Sequence, residues 1–291
     1  MIRNFEALLK EAKAKGPKNI VVSGGDDAVA IEELQVAKGI GLINKVFLVG
    51  DKEKIGKFQT SFEVVSASAE ETPLIAAQIA GRGEADIIMK GKVSTSAFLK
   101  GVLDKSTGLR IGRTMSHIAV MSTKFYDKLL FITDGGMNIY PNLEVKSDIL
   151  MNAVDFAHKL GIECPKVAIV CAIEVPNPDM PETMDAVELV KMAGDKKFGV
   201  CEVAGPFALD LAVSSKACEL KGIKHSVCGD ADILIMPNIA AGNISAKSMI
   251  YLGGASIAGA VMGAKLPCVM LSRSDSKDTK LNSIALGVVS C

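Results

Sequence analysis

The chain of 291 residues has no tryptophan, and aromatic residues make up only 4% of it. Surfaces that bind single-stranded nucleic acid stack bases on aromatic rings, so this scarcity argues against that class. Formal net charge is +0, with 33 Lys and Arg against 33 Asp and Glu. Such a balance provides no field to gather a polyanion. The three histidines, His117, His158 and His225, stand far apart and show no metal spacing. None of the seven cysteines forms a CxxC pair, their number is odd, and several lie in apolar runs. They read as reduced, buried thiols. No apolar run approaches the ~20 residues needed to cross a bilayer. The N-terminal stretch Met1–Lys10 carries charges of both signs and lacks the apolar core of a signal peptide. These absences leave a cytoplasmic globular protein with no nucleic-acid or membrane partner and no metal site.

Hydrophobic residues make up 49% of the chain, enough for a large core. In the first third, short apolar runs alternate with helical patterns. Asn19–Gly25, Lys45–Gly50, Glu63–Ser66 and Asp86–Gly91 read as strands. Asp27–Lys38, Glu71–Arg82 and Thr95–Leu103 read as helices, with Asp26 or Asp27 as a cap of the first. That alternation predicts a parallel sheet with crossover helices. His117–Met121 and Leu129–Asp134 are neighbouring strands; Lys166–Ile173, Phe198–Val203, Ala231–Pro237 and Pro267–Leu271 follow. Leu143–Leu160, Glu182–Ala193, Phe207–Lys221, Ala240–Leu252 and a C-terminal segment from Leu281 read as helices, and Gly253–Gly263 is a small-residue connection. The expected architecture is α/β, with two α/β/α lobes and a cleft between them. The first lobe takes residues 1–115 and 264–291, and the second takes residues 116–263.

Familiar nucleotide motifs fail. Gly91-Lys92 lacks both the upstream glycine and the following hydroxyl of a phosphate loop, since Asp86 and Val93 occupy those positions. Gly39-x-Gly41 and Gly81-x-Gly83 lack the third glycine of a dinucleotide fingerprint. There is no GxSxG elbow, and no histidine lies close to a serine motif.

What remains is a set of polar strand ends: Lys90–Thr95, Thr133–Asn138, Met236–Asn243 and Ser272–Ser276. Ligands of parallel sheets bind at such carboxyl ends. The last set stands before a helix start, where free N–H groups and Arg273 suit an anion. Arg110 and Arg113 lie in a looser Gly-bearing stretch and add cations. The set therefore suits a small phosphate-bearing ligand. Each member also has a plainer reading: a solvated strand-end lysine for Lys90, a surface charge pair for Arg110 and Arg113, turn chemistry for Asp134, and helix capping for Ser272-Arg273.

Taken together, Met89-Lys90-Gly91, Ser116-His117-Ile118-Ala119-Val120, Thr133-Asp134-x-x-Met137-Asn138, Met180-Pro181-Glu182-Thr183, Glu202-x-x-Gly205-Pro206-x-Ala208-Leu209-Asp210, Gly229–Leu234, Pro237-x-x-x-x-Gly242-Asn243 and Ser272-Arg273-x-Asp275-Ser276 resemble the phosphate acetyltransferase/phosphate butyryltransferase family. The blocks run in the family's order over nearly the whole chain and look nearest its butyryl branch. The resemblance implies a fold like that of isocitrate and isopropylmalate dehydrogenases. It implies the reaction butanoyl-CoA + phosphate = butanoyl phosphate + CoA, by direct transfer in a ternary complex. Coenzyme A is then a co-substrate, there is no bound cofactor, and the partners are acyl-CoA, phosphate and acyl phosphate. A homodimer or larger assembly is a family-level expectation.

Within that resemblance, Ser272 and Arg273 match two residues of the family's site. Thr279 stands where the family's proposed aspartate base falls, one residue after Asp278. Asp278 is therefore assigned as the base, with Asp275 the alternative. Arg110, Arg113, Lys90, Ser276 and Asn243 are assigned to substrate and phosphate binding. Three other readings stay open: acetyl-CoA as the substrate, an NAD(P)- and metal-dependent dehydrogenase on the same fold, and a non-catalytic acyl-CoA or acyl-phosphate binding protein.

Overall fold

Asp27 shows how directly the sequence sets local structure. Its carboxylate accepts hydrogen bonds from the backbone N–H of Val29 and Ala30, so the helix must begin at Ala28. Asp51 does the same for Glu53 and Lys54 after the next strand. The computed structural model describes residues 2–270 and 276–291. The chain divides into two compact units, one of Phe5–Arg113 with Ala258–Cys291, the other of Thr114–Ile257 with the first four residues.

The first unit runs α1 (Phe5–Ala14), β1 (Lys18–Ser23), α2 (Ala28–Gly39), β2 (Ile43–Gly50), α3 (Lys52–Ile55), β3 (Glu63–Ser66), α4 (Thr72–Gly81), β4 (Ile87–Lys90) and α5 (Thr95–Val102). Strands β3, β2, β1 and β4 lie side by side in that order and are parallel. Their centres are near-continuous apolar runs, as expected of strands covered on both faces: Ile20, Val21, Val22, Leu48, Val49, Ile87 and Ile88 are all buried. Each such side chain contributes roughly 1.5–3 kcal/mol on burial.

The second unit contains β5 (Ser116–Thr123), β6 (Tyr126–Thr133), α6 (Leu143–Lys159), β7 (Lys166–Val170), α7 (Pro181–Gly194), β8 (Glu202–Phe207), α8 (Leu209–Val213), α9 (Ser215–Lys221), β9 (Ile233–Ile235) and α10 (Ile239–Tyr251). Its strand order is β5-β6-β9-β7-β8. Only Lys124 and Phe125 join β5 to β6, so this pair is a hairpin and antiparallel. The others are parallel. Leu130, Ile132, Ala168, Leu234, Phe207 and Leu211 meet in its core.

The chain then supplies β10 (Ser256–Met262), β11 (Cys268–Met270) and α11 (Lys277–Val289). β11 lies parallel to β4 on the side away from β1, and β10 pairs antiparallel with β11. α11 packs against α1 and α2.

Four expectations need correction. The small-residue connection at Gly253–Gly263 contains a strand, β10, whose Ala258, Ala260 and Val261 are buried. The strand expected at Phe198–Val203 lies later, at β8, and runs through Gly205-Pro206. β8 is the last strand in the order of its unit, where a residue without an N–H is tolerated. The single helix expected at Phe207–Lys221 is two, because Ser214 leaves helical geometry and its hydroxyl caps α9 at the Ala217 N–H. Finally, the cysteines are not all free thiols. The chain turns back at Gly222, bringing Cys228 to Cys218 with their Cα atoms 6.1 Å apart, and the two form a disulfide. Cys171 and Cys268 are buried free thiols, and burial pushes each up to about 12.

Candidate functional site

In the first unit, the strand order reverses between β1 and β4. Beyond β1 the chain builds outward to β2 and β3, whereas β4 returns to the opposite side. The crevice outside the carboxyl ends at such a reversal is where open α/β sheets hold ligands. Here it is a cavity of about 1170 Å³. Loops after all four strands line it: Gly24 and Asp26 after β1, Gly50 to Lys54 after β2, Ser66 to Ala69 after β3, and Lys92 to Ser94 after β4.

Two glycines let the loops after β1 and β4 meet beside it. Gly24 has φ +87°, and a Cβ there would sit 2.7 Å from the backbone nitrogen of Lys92. A Cβ on Gly91 would collide with the Gly24 carbonyl. The β1 and β4 loops thus touch backbone to backbone, a contact only glycine permits. The Lys90 ammonium donates to the carbonyls of Gly91 and Val93, both at 3.2 Å, and braces the same loop. Lys54 pairs with Asp51 at 3.1 Å and Lys92 with Asp26 at 3.5 Å.

β11 ends beside this crevice, since Met270 is the register partner of Lys90. Ser272, Arg273 and Asp275 follow it in sequence and lie outside the described residues. Description resumes at Ser276, whose hydroxyl accepts from the Thr279 N–H at 3.2 Å and caps α11. Asp278 is exposed in the first turn of that helix. Its neighbourhood is charged: Lys277 pairs with Glu32 at 2.8 Å, and Glu33 of α2 is buried. Burial raises the Glu33 carboxyl above its ordinary range, against the pull of Lys280, while Glu32 and Asp278 add to the rise. Arg110 is exposed and forms a bridge to Ala264, just after β10, and Arg113 is half-buried. Lys90, Arg110, Arg113, Ser276 and Asp278 therefore all belong to the first unit.

Asn243 belongs to the second unit. Its amide donates to the Gly135 carbonyl at 3.1 Å and anchors the turn after β6. Asp134 organises that turn. Its carboxylate accepts from the N–H groups of Gly136 (2.7 Å), Met137 (2.9 Å), Asn138 (3.2 Å) and His117 (3.2 Å), and from the Asn138 amide (2.7 Å). Asp134 thus holds its own turn and ties it to β5 through the His117 N–H. Gly242 permits the approach, because a Cβ there would lie 2.7 Å from the Asp134 carbonyl oxygen.

Lys52, Lys54, Ser66 and Ser68 are further polar residues of the crevice lining that belong to no motif in the sequence. The available signal was the one used for Lys90: each follows an apolar strand closely. Among the described residues, no group of three or more His, Cys, Asp or Glu is arranged to hold a metal ion, and no helix is long and apolar enough to cross a membrane.

Residues 56–288 match the phosphate acetyl/butaryl transferase family. The chain belongs to that family. A phosphate butyryltransferase of Clostridium acetobutylicum is 42% identical, over 99% of this chain and 98% of that one. A phosphate acetyltransferase of Thermotoga maritima is 41% identical, over 98% of this chain and 99% of that one. Like its relatives, this member of the family is an acyltransferase. A crystal structure of a branched-chain phosphotransacylase from Enterococcus faecalis V583 superposes with a TM-score of 0.83 at 30% identity, covering 94% of this chain and 98% of that one. A 4-hydroxythreonine-4-phosphate dehydrogenase from Klebsiella pneumoniae superposes with a TM-score of 0.58 at 13% identity, covering 94% of this chain and 100% of that one. That likeness concerns the fold alone, which this transferase family has in common with the dehydrogenase.

Proposed function

We propose that this protein catalyses butanoyl-CoA + phosphate = butanoyl phosphate + CoA by direct transfer in a ternary complex. The observation that carries the reading is 42% identity, along the whole chain, to a phosphate butyryltransferase. A phosphate oxygen attacks the thioester carbonyl carbon, the C–S bond breaks, and the thiolate takes a proton as it leaves. In the reverse direction the thiol loses that proton first. Asp278 is the proposed base, a step worth roughly 10²–10⁴-fold in rate. Arg273 holds the phosphate in its planar fork, with Arg110 or Arg113 closing on it. Ser272 hydrogen-bonds the thiolate or the acyl oxygen. Lys90, Ser276 and Asn243 supply further polar groups to the substrates. Coenzyme A acts as co-substrate, with no resident cofactor or metal, in a cytoplasmic homodimer or larger assembly.

Phosphate-dependent thiol release from butanoyl-CoA tests the reaction, and its absence would exclude it. Arg273→Ala is expected to lower kcat by about 10²–10³-fold, as removal of a charge-stabilising donor does, and to raise the KM for phosphate. Wild-type values for both would remove Arg273 from the site. For Asp278→Asn, an unchanged pH–rate profile would transfer the role of base elsewhere. Acetyl transfer is the second reading, favoured by the 41% identity to a phosphate acetyltransferase. Comparing kcat/KM across acetyl-, propanoyl-, butanoyl- and branched acyl-CoA decides between them.

A further inference from the structure

We propose that Cys218 and Cys228 are a reversible thiol–disulfide clip, closed by a low-molecular-weight disulfide and opened by a thiol, that fastens the segment leading into β9. Neither residue has a part in the proposed acyl transfer, so the clip stands or falls apart from it. The bond joins α9 to the segment before β9 across a sequence separation of 10. β9 lies between β6 and β7, so whatever loosens its approach bears on the middle of that sheet. The other ties around this loop are weaker. Lys221 reaches Glu174 at 2.6 Å and Asp210 at 3.0 Å, but near the surface, where such pairs hold little. The Gly229 N–H donates to the Leu211 carbonyl at 2.8 Å, and the His225 ring stands edge-on to Phe207 at 6.3 Å. Between the two cysteines, Lys224, His225 and Ser226 are exposed.

The surroundings suit both redox states. The Cys218 sulfur lies 3.2 Å from the Leu211 carbonyl oxygen, and the Cys228 sulfur 3.8 Å from the Ile223 carbonyl oxygen. A thiol formed at either position therefore has an acceptor already in place. In the cytoplasm proposed for this protein, thiols are kept reduced and disulfides are usually transient. A pair that fits both forms there follows the thiol–disulfide balance around it.

Exposure sets the order of exchange. Cys218 is 4% exposed, whereas Cys228 is half-buried, so Cys228 meets the small molecule. Its thiolate attacks one sulfur of RS–SR, forms Cys228–S–SR and releases RS⁻, which takes up the proton that Cys228 lost. The Cys218 thiolate then attacks the Cys228 sulfur and expels the second RS⁻, which takes up the proton from Cys218. Two protein thiols are oxidised and one RS–SR is reduced to two RSH. Opening runs the same steps backward.

The test equilibrates the native full chain in glutathione buffers from oxidised to reduced, quenches with acid, and quantifies the Cys218–Cys228 cross-linked peptide by mass spectrometry. The cross-link should be complete at the oxidised end and absent at the reduced end. A cross-link that survives the reduced end marks a fixed structural bond, and none at the oxidised end marks two plain thiols; either result overturns the proposal. The C218S variant should carry glutathione on Cys228, and its absence there would overturn exchange through that sulfur. Limited trypsin cleavage of the native protein after Lys224 reads the fastening. It should be about tenfold or more faster in reduced than in oxidised wild type, as release of a closed loop allows. The C228S variant should be cut at the fast rate in both buffers. Equal rates for wild type in the two buffers would show that the bond fastens nothing.

Discussion

Two clusters of lysine and aspartate stand at opposite ends of their strands, and they are built differently. At the amino ends of β6, β7 and β9, Lys128 reaches Asp230 at 2.8 Å and Asp232 at 2.7 Å, while Lys166 reaches Asp230 at 2.6 Å. Asp232 also accepts the backbone N–H of Lys166 at 2.8 Å, and Tyr126 donates to the Ala231 carbonyl. The side chains of Lys128 and Asp232 are 11% and 4% exposed. At the carboxyl ends of β1 to β4, Lys92 and Asp26 sit 3.5 Å apart around an open space. Close ion pairs around the buried Asp232 and the half-exposed Asp230 fasten neighbouring strands together. The pairs around the crevice, Lys92 with Asp26 and Lys54 with Asp51, have more exposed lysines and leave their charges within reach of solvent.

The sharpest way to break this contrast is Lys128→Met. It leaves the buried Asp232 without its ion-pair partner, with Lys166 the remaining cation nearby, so stability should fall by about 3 kcal/mol, read from urea denaturation. The kcat/KM of the remaining folded protein for butanoyl-CoA should be unaltered. Gly24→Ala probes the other cluster through its backbone. Its methyl group meets the Lys92 backbone at a positive φ, a strain of about 1–3 kcal/mol. It should also lower kcat/KM for butanoyl-CoA by about tenfold or more, because the β1 and β4 loops must part.

The smallest effect concerns pH. Burial alone would raise the Asp230 carboxyl, but hydrogen bonds from Lys128 and Lys166 overcome it and hold the group below its usual range. A depressed carboxylate contributes stability above its unfolded pKa of about 3.9, and that contribution is lost as pH falls through the lower folded value. Lys166 is raised, chiefly by its hydrogen bond to Asp230, so its contribution is complete below about 10.4 and is lost as pH rises through the raised value. Asp230→Asn should therefore cost stability at neutral pH and match wild type in strong acid. With 49% of the Asp230 side chain exposed, water screens the pair, and the cost should be at most about 1 kcal/mol. A difference that grew toward acid would reverse the assigned sign.

The first three strands, a cap at Asp26 or Asp27 and the pairing of β5 with β6 were legible in the sequence, because each rests on neighbouring residues; the structure decides for Asp27. β10 was not, since Ala, Gly and Ser have weak strand preference and only burial between other elements makes them a strand. Gly205-Pro206 hid the true extent of β8, as proline signals a strand's end unless the strand lies at an edge. The cavity escaped for a different reason. Lys90 and Lys92 were visible as strand-end cations, but a reversal of strand order is a property of pairing across long stretches of chain. Ser272 and Arg273 stood out in the sequence as an anion site at a helix start, with capping as the plainer reading, and the family resemblance supplied their proposed roles.

The pairing of Cys268–Met270 with Ile88–Lys90 has a consequence for how the molecule is made. A ribosome adds roughly 5–20 residues per second, so β4 waits on the order of ten seconds or more for its partner. Thr114–Ile257 emerges in that interval with all five of its own strands present. Until β11 arrives, β4 is an open sheet edge with unpaired backbone groups, a template for other chains. Biogenesis is thus most exposed in the interval before β11 emerges. A nascent chain that stalls after Met262 carries one unit with all its strands and one whose β4 edge is still unpaired.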